Sequence, residues 1–122
     1  MIIGIGIDNV ELARIEKALA RSKSFVSRVL TEKEQLTADS FSGLRLTEFI
    51  AGRWAAKEAF AKAIGTGFRG QFTMQSLEIA ADKFGKPYFV QSSADGRVHL
   101  SISHSRSEAV AVVIIESLEE MK

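Results

Sequence analysis

The sequence predicts an α+β fold in which helices pack on a small antiparallel sheet. Three observations lead there. Apolar residues alternate with period two at the N-terminus and again near the C-terminus of the 122-residue chain. Between them lies a long segment rich in Ala, Glu, Lys, Leu and Phe, all compatible with a helix. The resulting order, a strand, then helices, then strands, lacks the βαβαβα alternation of a doubly wound sheet. The length fits a single domain over residues 1–122.

Taken in order, Ile3, Ile5 and Ile7 alternate with Gly4, Gly6 and Asp8, which is a strand over residues 2–8. Its second face carries no side chain before the carboxylate, and glycine inside a strand marks a place where a ligand or another backbone comes close. Asp8 or Asn9 is placed to cap a helix over Val10–Arg21. Phe25–Leu30 supplies a short apolar turn, and Thr31 with Glu34 has capping-box spacing for a further helix. Polar residues Asp39–Gly43 form a turn before the main helix, Leu46–Ile64, whose apolar face is Phe49, Ala56, Phe60, Ala63 and Ile64. Gly65 stops it. A loop, GTGFRGQ, leads to strands at Met74–Ala81 and Pro87–Gln91 around the turn DKFGK. A second hairpin pairs Val98–Ser103 with Ala109–Glu116. This last strand is apolar on both faces: Val110, Val112 and Ile114 on one, Ala111, Val113 and Ile115 on the other. One layer of helices covers one face of a sheet, so the other is expected to be buried by further copies of the chain.

Composition removes several classes of function. With 46% hydrophobic and 25% charged residues, the chain is neither a disordered tail nor a collagen-like fibre. The balance of 16 Lys+Arg against 15 Asp+Glu argues against generic nucleic-acid binding. Zero cysteines exclude a disulfide scaffold, a Cys nucleophile, and thiolate zinc or iron–sulfur sites. No apolar run approaches the roughly 20 residues that span a bilayer. The N-terminus carries Asp8 early and lacks a basic leader and cleavage site, so it does not read as a signal peptide. A soluble, cytoplasmic protein is expected.

Two glycine patterns carry little. Gly65–Gly70 matches GxGxxG literally but follows a helix, whereas the dinucleotide fingerprint follows a strand and opens a helix. No Walker A lysine pattern, nucleophile elbow or histidine zinc spacing is present.

The chemically informative residues are Lys57, Glu58 and Lys62 on the long helix and Asp8 on the first strand. At 100° per residue, Glu58 and Lys62 lie within roughly 40° of each other, with Trp54 one turn before them and Arg53 and Lys57 on a line beside. They read either as a solvated Glu58–Lys62 ion pair or as half of a phosphate site. Two carboxylates from separate elements, flanked by cations, suit Mg²⁺ bound to a phosphorylated substrate. His104 ends its strand at a Ser-rich turn, where it is either a packed or surface residue or a phosphate contact. Arg14, Lys17 and Arg21 share one helix face, and Leu12–Leu30 holds five cations against Glu16 alone. That face is either simply solvated or a landing strip for an acidic partner.

The start GIGID…ELARI, the helix FIAGRWAAKEAFAKAIGTG, the turn GKPYF and the strand LSISHS together resemble the bacterial holo-[acyl-carrier-protein] synthases, the short type of 4′-phosphopantetheinyl transferase. The likeness runs from Met1 to about Glu116; Asn9 stands where the family commonly has an aliphatic residue. The resemblance implies transfer of the phosphopantetheine arm of coenzyme A to a serine of apo-acyl carrier protein, in support of fatty acid biosynthesis, with release of adenosine 3′,5′-bisphosphate. It implies that Asp8 and Glu58 hold Mg²⁺, that Lys62 contacts the phosphates, and that Glu58 is the candidate base. It also implies a coenzyme A cleft lined by Arg53, Gly65, Thr66, Pro87 and His104, a carrier-facing helix with Arg14 and Arg21, and a homotrimer with sites at subunit interfaces. A different class remains beside it: a non-catalytic oligomeric module that binds a phosphorylated ligand or an acidic protein through the same patches.

Overall fold

The computed structural model describes residues 1–65, 73–91 and 96–118. The elements in order are β1 (Ile2–Glu11), α1 (Leu12–Arg21), α2 (Ser24–Val29), α3 (Glu32–Ala38), α4 (Gly43–Ile64), a 3₁₀ turn (Met74–Ser76), β2 (Glu78–Ala81), β3 (Pro87–Gln91), β4 (Arg97–His104) and β5 (Glu108–Glu116). The strands form two antiparallel sheets, a three-stranded one in the order β1-β5-β4 and the two-stranded hairpin β2-β3. The α+β architecture is as expected.

Helix α4 is the axis of the molecule. It lies along the inner face of the three-stranded sheet, and α1, α2 and α3 pack on its other side. Residues Ala51, Ala55, Ala56, Ala59 and Phe60 are fully buried, so its middle is enclosed nearly all round. The glycine face of β1 explains how the helix comes so near. A Cβ at Gly4 would collide with the carbonyl of Ala63, and one at Gly6 with the carbonyl of Ala59. The close approach foreseen at these glycines is that of another backbone, α4 itself.

Four local expectations change. Strand β1 continues to Glu11 because its ladder with β5 runs on to the Glu11–Glu108 pair. Helix α1 therefore begins at Leu12 without the expected Asp8 or Asn9 cap, and the Leu12 N–H donates to the Ser107 carbonyl at 2.8 Å instead. Residues 74–76 form a 3₁₀ turn, closed by Thr73 and Ser76, where a strand was expected. Helix α4 begins at Gly43, three residues before Leu46. The capping box at Thr31 and Glu34 forms as anticipated, with Thr31 N–H to Glu34 Oε1 at 2.9 Å and Glu34 N–H to Thr31 Oγ1 at 3.3 Å. Gly65 ends α4 in the left-handed region at φ 82°.

The two faces of the three-stranded sheet differ. Ala109, Ala111, Val113 and Ile115 of β5 are buried against α4. On the outer face Ile3, Ile5 and Ile7 are each more than half exposed, beside half-buried Val110, Val112 and Ile114. Among the described residues no helix is long and apolar enough to cross a membrane.

Candidate active site

Asp8 lies near the end of the glycine face of β1, opposite Ala111 of β5. The close β1–α4 approach carries it to the last turns of α4, where Lys62 Nζ donates to Asp8 Oδ1 and to the Ile7 carbonyl, each at 3.0 Å. Glu58, one turn earlier on α4, is half-buried. Its carboxyl is held above the usual range, first by burial and then by the negative charge of Asp8, with Lys62 and Arg14 pulling the other way. The ion pair of Lys62 is thus with Asp8, across elements, while Glu58 feels the charges of Asp8, Lys62 and Arg14. Arg14 reaches the same neighbourhood from α1, its guanidinium 5.8 Å from the Trp54 ring centroid. Two carboxylates, two cations and a backbone carbonyl therefore meet where β1, α1 and α4 converge.

Lys57, grouped with Glu58 and Lys62 in the sequence, does not join them. It is fully buried, and its ammonium donates to Glu34 Oε1 and the Val29 carbonyl, both at 2.6 Å. It stands 100° from Glu58 on the helix, and that angle turns it to the packed α2–α3 side.

Three cavities among the described residues lie along α4. One of about 510 Å³ is lined by Asp8, Lys62, Ser103, His104 and Glu108, with Ile7 and Val110 of the outer sheet face. A second, about 170 Å³, is lined by Arg45, Glu48, Arg53, Pro87 and His104. The third, about 400 Å³ and largely apolar, is lined by Phe25, Arg28, Val29, Trp54, Glu58 and Met74. His104 borders the first two, and its Nδ1 lies 3.6 Å from Glu48 Oε2. Arg53 stacks over Phe49, 4.4 Å from the ring centroid, and its buried Nε has no hydrogen-bond partner among the described residues. Burial lowers its pKa, opposed by the charge of Glu34. A desolvated guanidinium with an unmatched donor beside a cavity suits an anion.

The structure thus brings Asp8, Lys62 and His104 to one cavity and Arg53, Pro87 and His104 to another. Glu58 opens on the third. Gly65 follows Lys62 at the end of α4, whereas Thr66 lies outside the described residues. Arg14, Lys17 and Arg21 are exposed on α1, and only Arg14 is within electrostatic reach of Glu58. Sequence reasoning missed Arg45 and Glu48. The signal was available: stepping back from Arg53 by helical spacing leads to Phe49 and then to Arg45.

Asp8 and Glu58 are hard oxygen donors whose charges repel one another. This fits a cation such as Mg²⁺, which takes one or two carboxylates and completes its shell with water and substrate phosphate.

The family model described as the 4′-phosphopantetheinyl transferase superfamily matches residues 4–114. The chain belongs to that superfamily. A holo-[acyl-carrier-protein] synthase of Lactococcus lactis subsp. lactis (strain IL1403) is 59% identical over 117 residues, covering 95% of this chain and 98% of the relative. The crystal structure of a holo-(acyl-carrier-protein) synthase from Bacillus anthracis str. Ames, in complex with CoA (3′,5′-ADP), superposes with a TM-score of 0.90 at 51% identity, covering 96% of this chain and 98% of that one. The corresponding structure from Neisseria meningitidis has a TM-score of 0.87 at 37% identity, covering 96% and 100%. The holo-[acyl-carrier-protein] synthase family is thus the branch to which the chain belongs, and its fold is theirs.

Proposed function

We propose that this enzyme of the holo-[acyl-carrier-protein] synthase family transfers 4′-phosphopantetheine from coenzyme A to a serine of apo-acyl carrier protein in a Mg²⁺-dependent reaction, in the cytoplasm and in support of fatty acid biosynthesis. The observation that carries this reading is the convergence of Asp8, Glu58 and Lys62 where β1 meets α4. In the reaction the serine Oγ bonds to the pantetheine-side phosphorus, and the bond from that phosphorus to the bridging oxygen breaks. The electron pair leaves on adenosine 3′,5′-bisphosphate. The serine proton goes to Glu58, directly or through a water. A carboxyl held above its ordinary range is a better proton acceptor near neutrality than a free surface glutamate.

Asp8 and Glu58 are the residues that would hold Mg²⁺, which when bound polarises phosphoryl oxygens as a Lewis acid. Lys62, more than half exposed while tethered to Asp8, is placed to share its charge with a pyrophosphate. Arg53 and His104 offer donors for further phosphate oxygens, with Pro87 as an apolar wall. Arg14 and Arg21 offer an acidic carrier protein a complementary face. The exposed Ile3, Ile5 and Ile7 favour a homotrimer closed through the outer sheet face. The cavity holding Asp8 and Lys62 also touches Ile7 and Val110 of that face, which supports sites lying at subunit interfaces.

The test is intact-protein mass spectrometry of apo-acyl carrier protein incubated with this enzyme, coenzyme A and Mg²⁺, beside an EDTA control. The expected result is a gain of roughly 340 Da, one phosphopantetheine, that EDTA abolishes, as metal-assisted phosphoryl transfer requires. No gain from a verified apo carrier would overturn the reading.

A further inference from the structure

Among the described residues, one of the largest fully buried side chains is a lysine. Lys57 is 0% exposed and Glu34 2%, and their contact is 2.6 Å. Apolar side chains filling the same space are often as stabilising as a buried ion pair, so what the pair adds is direction. Its directions are specific. Lys57 also donates to the carbonyl of Val29, the last residue of α2, at 2.6 Å. Glu34 Oε1 accepts from Thr31 N–H and Glu34 Oε2 from Ile79 N–H, both at 2.9 Å. One ion pair thus ties α4, the end of α2, the start of α3 and β2 to each other.

Helix α2 needs such ties. It has six residues and no side-chain hydrogen bond at its N-cap, and helices this short are unstable alone. A second external hold comes from Gln75 of the 3₁₀ turn, whose Nε2 donates to the Ser27 carbonyl. The face of α2 so held carries Phe25, Arg28 and Val29, which form a wall of the apolar cavity that Trp54 and Glu58 close on the other side. Lys57 is therefore the residue next to Glu58 in sequence, and it grips the wall opposite Glu58 in space.

We propose that Lys57 and Glu34 are positioning residues that fix the α2 wall relative to Glu58, the group the reading above sets against the acceptor serine. The proposal rests on the transferase reading above. Neither residue lines the Asp8–Lys62 or the Arg53–His104 cavity. Glu34 and Lys57 both act on the charge of Arg53, with opposite sign, so removing both charges together places the main effect on the acceptor and not on coenzyme A.

Steady-state kinetics with apo-acyl carrier protein and coenzyme A test this in two variants. In Lys57→Met/Glu34→Gln both charges are removed together, and the glutamine still has an oxygen for a backbone N–H. Gln75→Ala loosens the second hold from an exposed site. The double variant is expected to raise KM for the carrier at least about fivefold, and Gln75→Ala to shift it the same way by less, while calorimetric affinity for coenzyme A stays within about twofold. A purely structural pair would lower the melting temperature and leave that split unmoved at temperatures where the variant is folded. Unchanged carrier KM in a folded double variant, or parallel loss of carrier and coenzyme A affinity, overturns the proposal. Should the double variant not fold, an unchanged carrier KM in Gln75→Ala overturns it alone. A wild-type enzyme that transfers nothing overturns the transferase reading itself, and this proposal with it.

Discussion

Lys62 and Asp8, 54 positions apart in sequence, meet at 3.0 Å, and their contact joins the last turns of α4 to the first strand. Lys62 is 54% exposed and Asp8 15%, so the contact is worth little as a structural bond. Its value is placement: an ammonium and a carboxylate are held side by side, near a second carboxyl whose pKa burial and Asp8 raise.

Asp8→Ala and Glu58→Ala are therefore expected to abolish turnover and spare the fold. Each should lower kcat/KM by at least about 10²-fold, the scale for losing an electrostatic or acid–base contribution. Size-exclusion chromatography with light scattering should show the same oligomer as wild type. A near-wild-type rate for either variant with Mg²⁺ would remove that residue from the site.

Glu58 also has a stability signature. A carboxyl whose folded pKa is raised favours the protonated native state, so its contribution is fully present below the unfolded pKa and is lost as pH rises through the folded one. Wherever the group is ionised, it opposes folding. Glu58→Gln should then raise the melting temperature of the metal-free protein at pH 7, with the gain vanishing below the ordinary glutamate range. In the same metal-free protein, Asp8→Asn removes a charge that lifts the Glu58 carboxyl and Lys62→Ala one that lowers it. Carbon-detected NMR titration should move its midpoint down in the first and up in the second.

Arg21→Glu should raise KM for the carrier protein and leave coenzyme A affinity unchanged, with the effect shrinking as salt rises. Arg14→Glu should do this and in addition push the acid limb of the kcat/KM profile upward, since Arg14 is one of the two cations that lower the Glu58 pKa. A pH profile unmoved in Arg14→Glu would dissociate that arginine from the site.

Much of this was readable from residues whose signal is local. Thr31 and Glu34 announce their capping box, Gly65 the end of α4, and the glycines at 4 and 6 a close neighbour. What escaped depends on contacts far along the chain. Lys57 and Lys62 look alike in the helix sequence, and only the packing of α2 and α3 decides that one is enclosed and the other free to reach Asp8. Asp8 and Asn9 have the chemistry of helix caps, yet pairing with β5 carries the strand past both. Glu34 was legible as a cap; its second task, receiving Lys57 and Ile79, was not.

Gly6→Ala tests the seam between β1 and α4. The added methyl meets the Ala59 carbonyl, a backbone atom that cannot swing away. The cost should be at least about 2 kcal/mol in urea unfolding, at the upper part of the range for overpacking. Gly52→Ala, whose methyl would meet only the Ile102 side chain at 3.2 Å, should cost less. Activity of Gly6→Ala should fall further than its stability explains, because Asp8 lies two residues along the displaced strand.

That seam has a mechanical consequence. Elsewhere in a protein interior, side chains hop between rotamers and let facing elements breathe; where a glycine strand lies on alanine carbonyls there are no rotamers to hop. The main chains beneath Asp8 and Glu58 are in hard contact, so the gap between their Cα atoms behaves as a nearly incompressible spacer. Hydrostatic pressure or a modest rise in temperature should loosen the β2–β3 hairpin and the short α2 before it alters the spacing of the β1 and α4 main chains that carry Asp8 and Glu58.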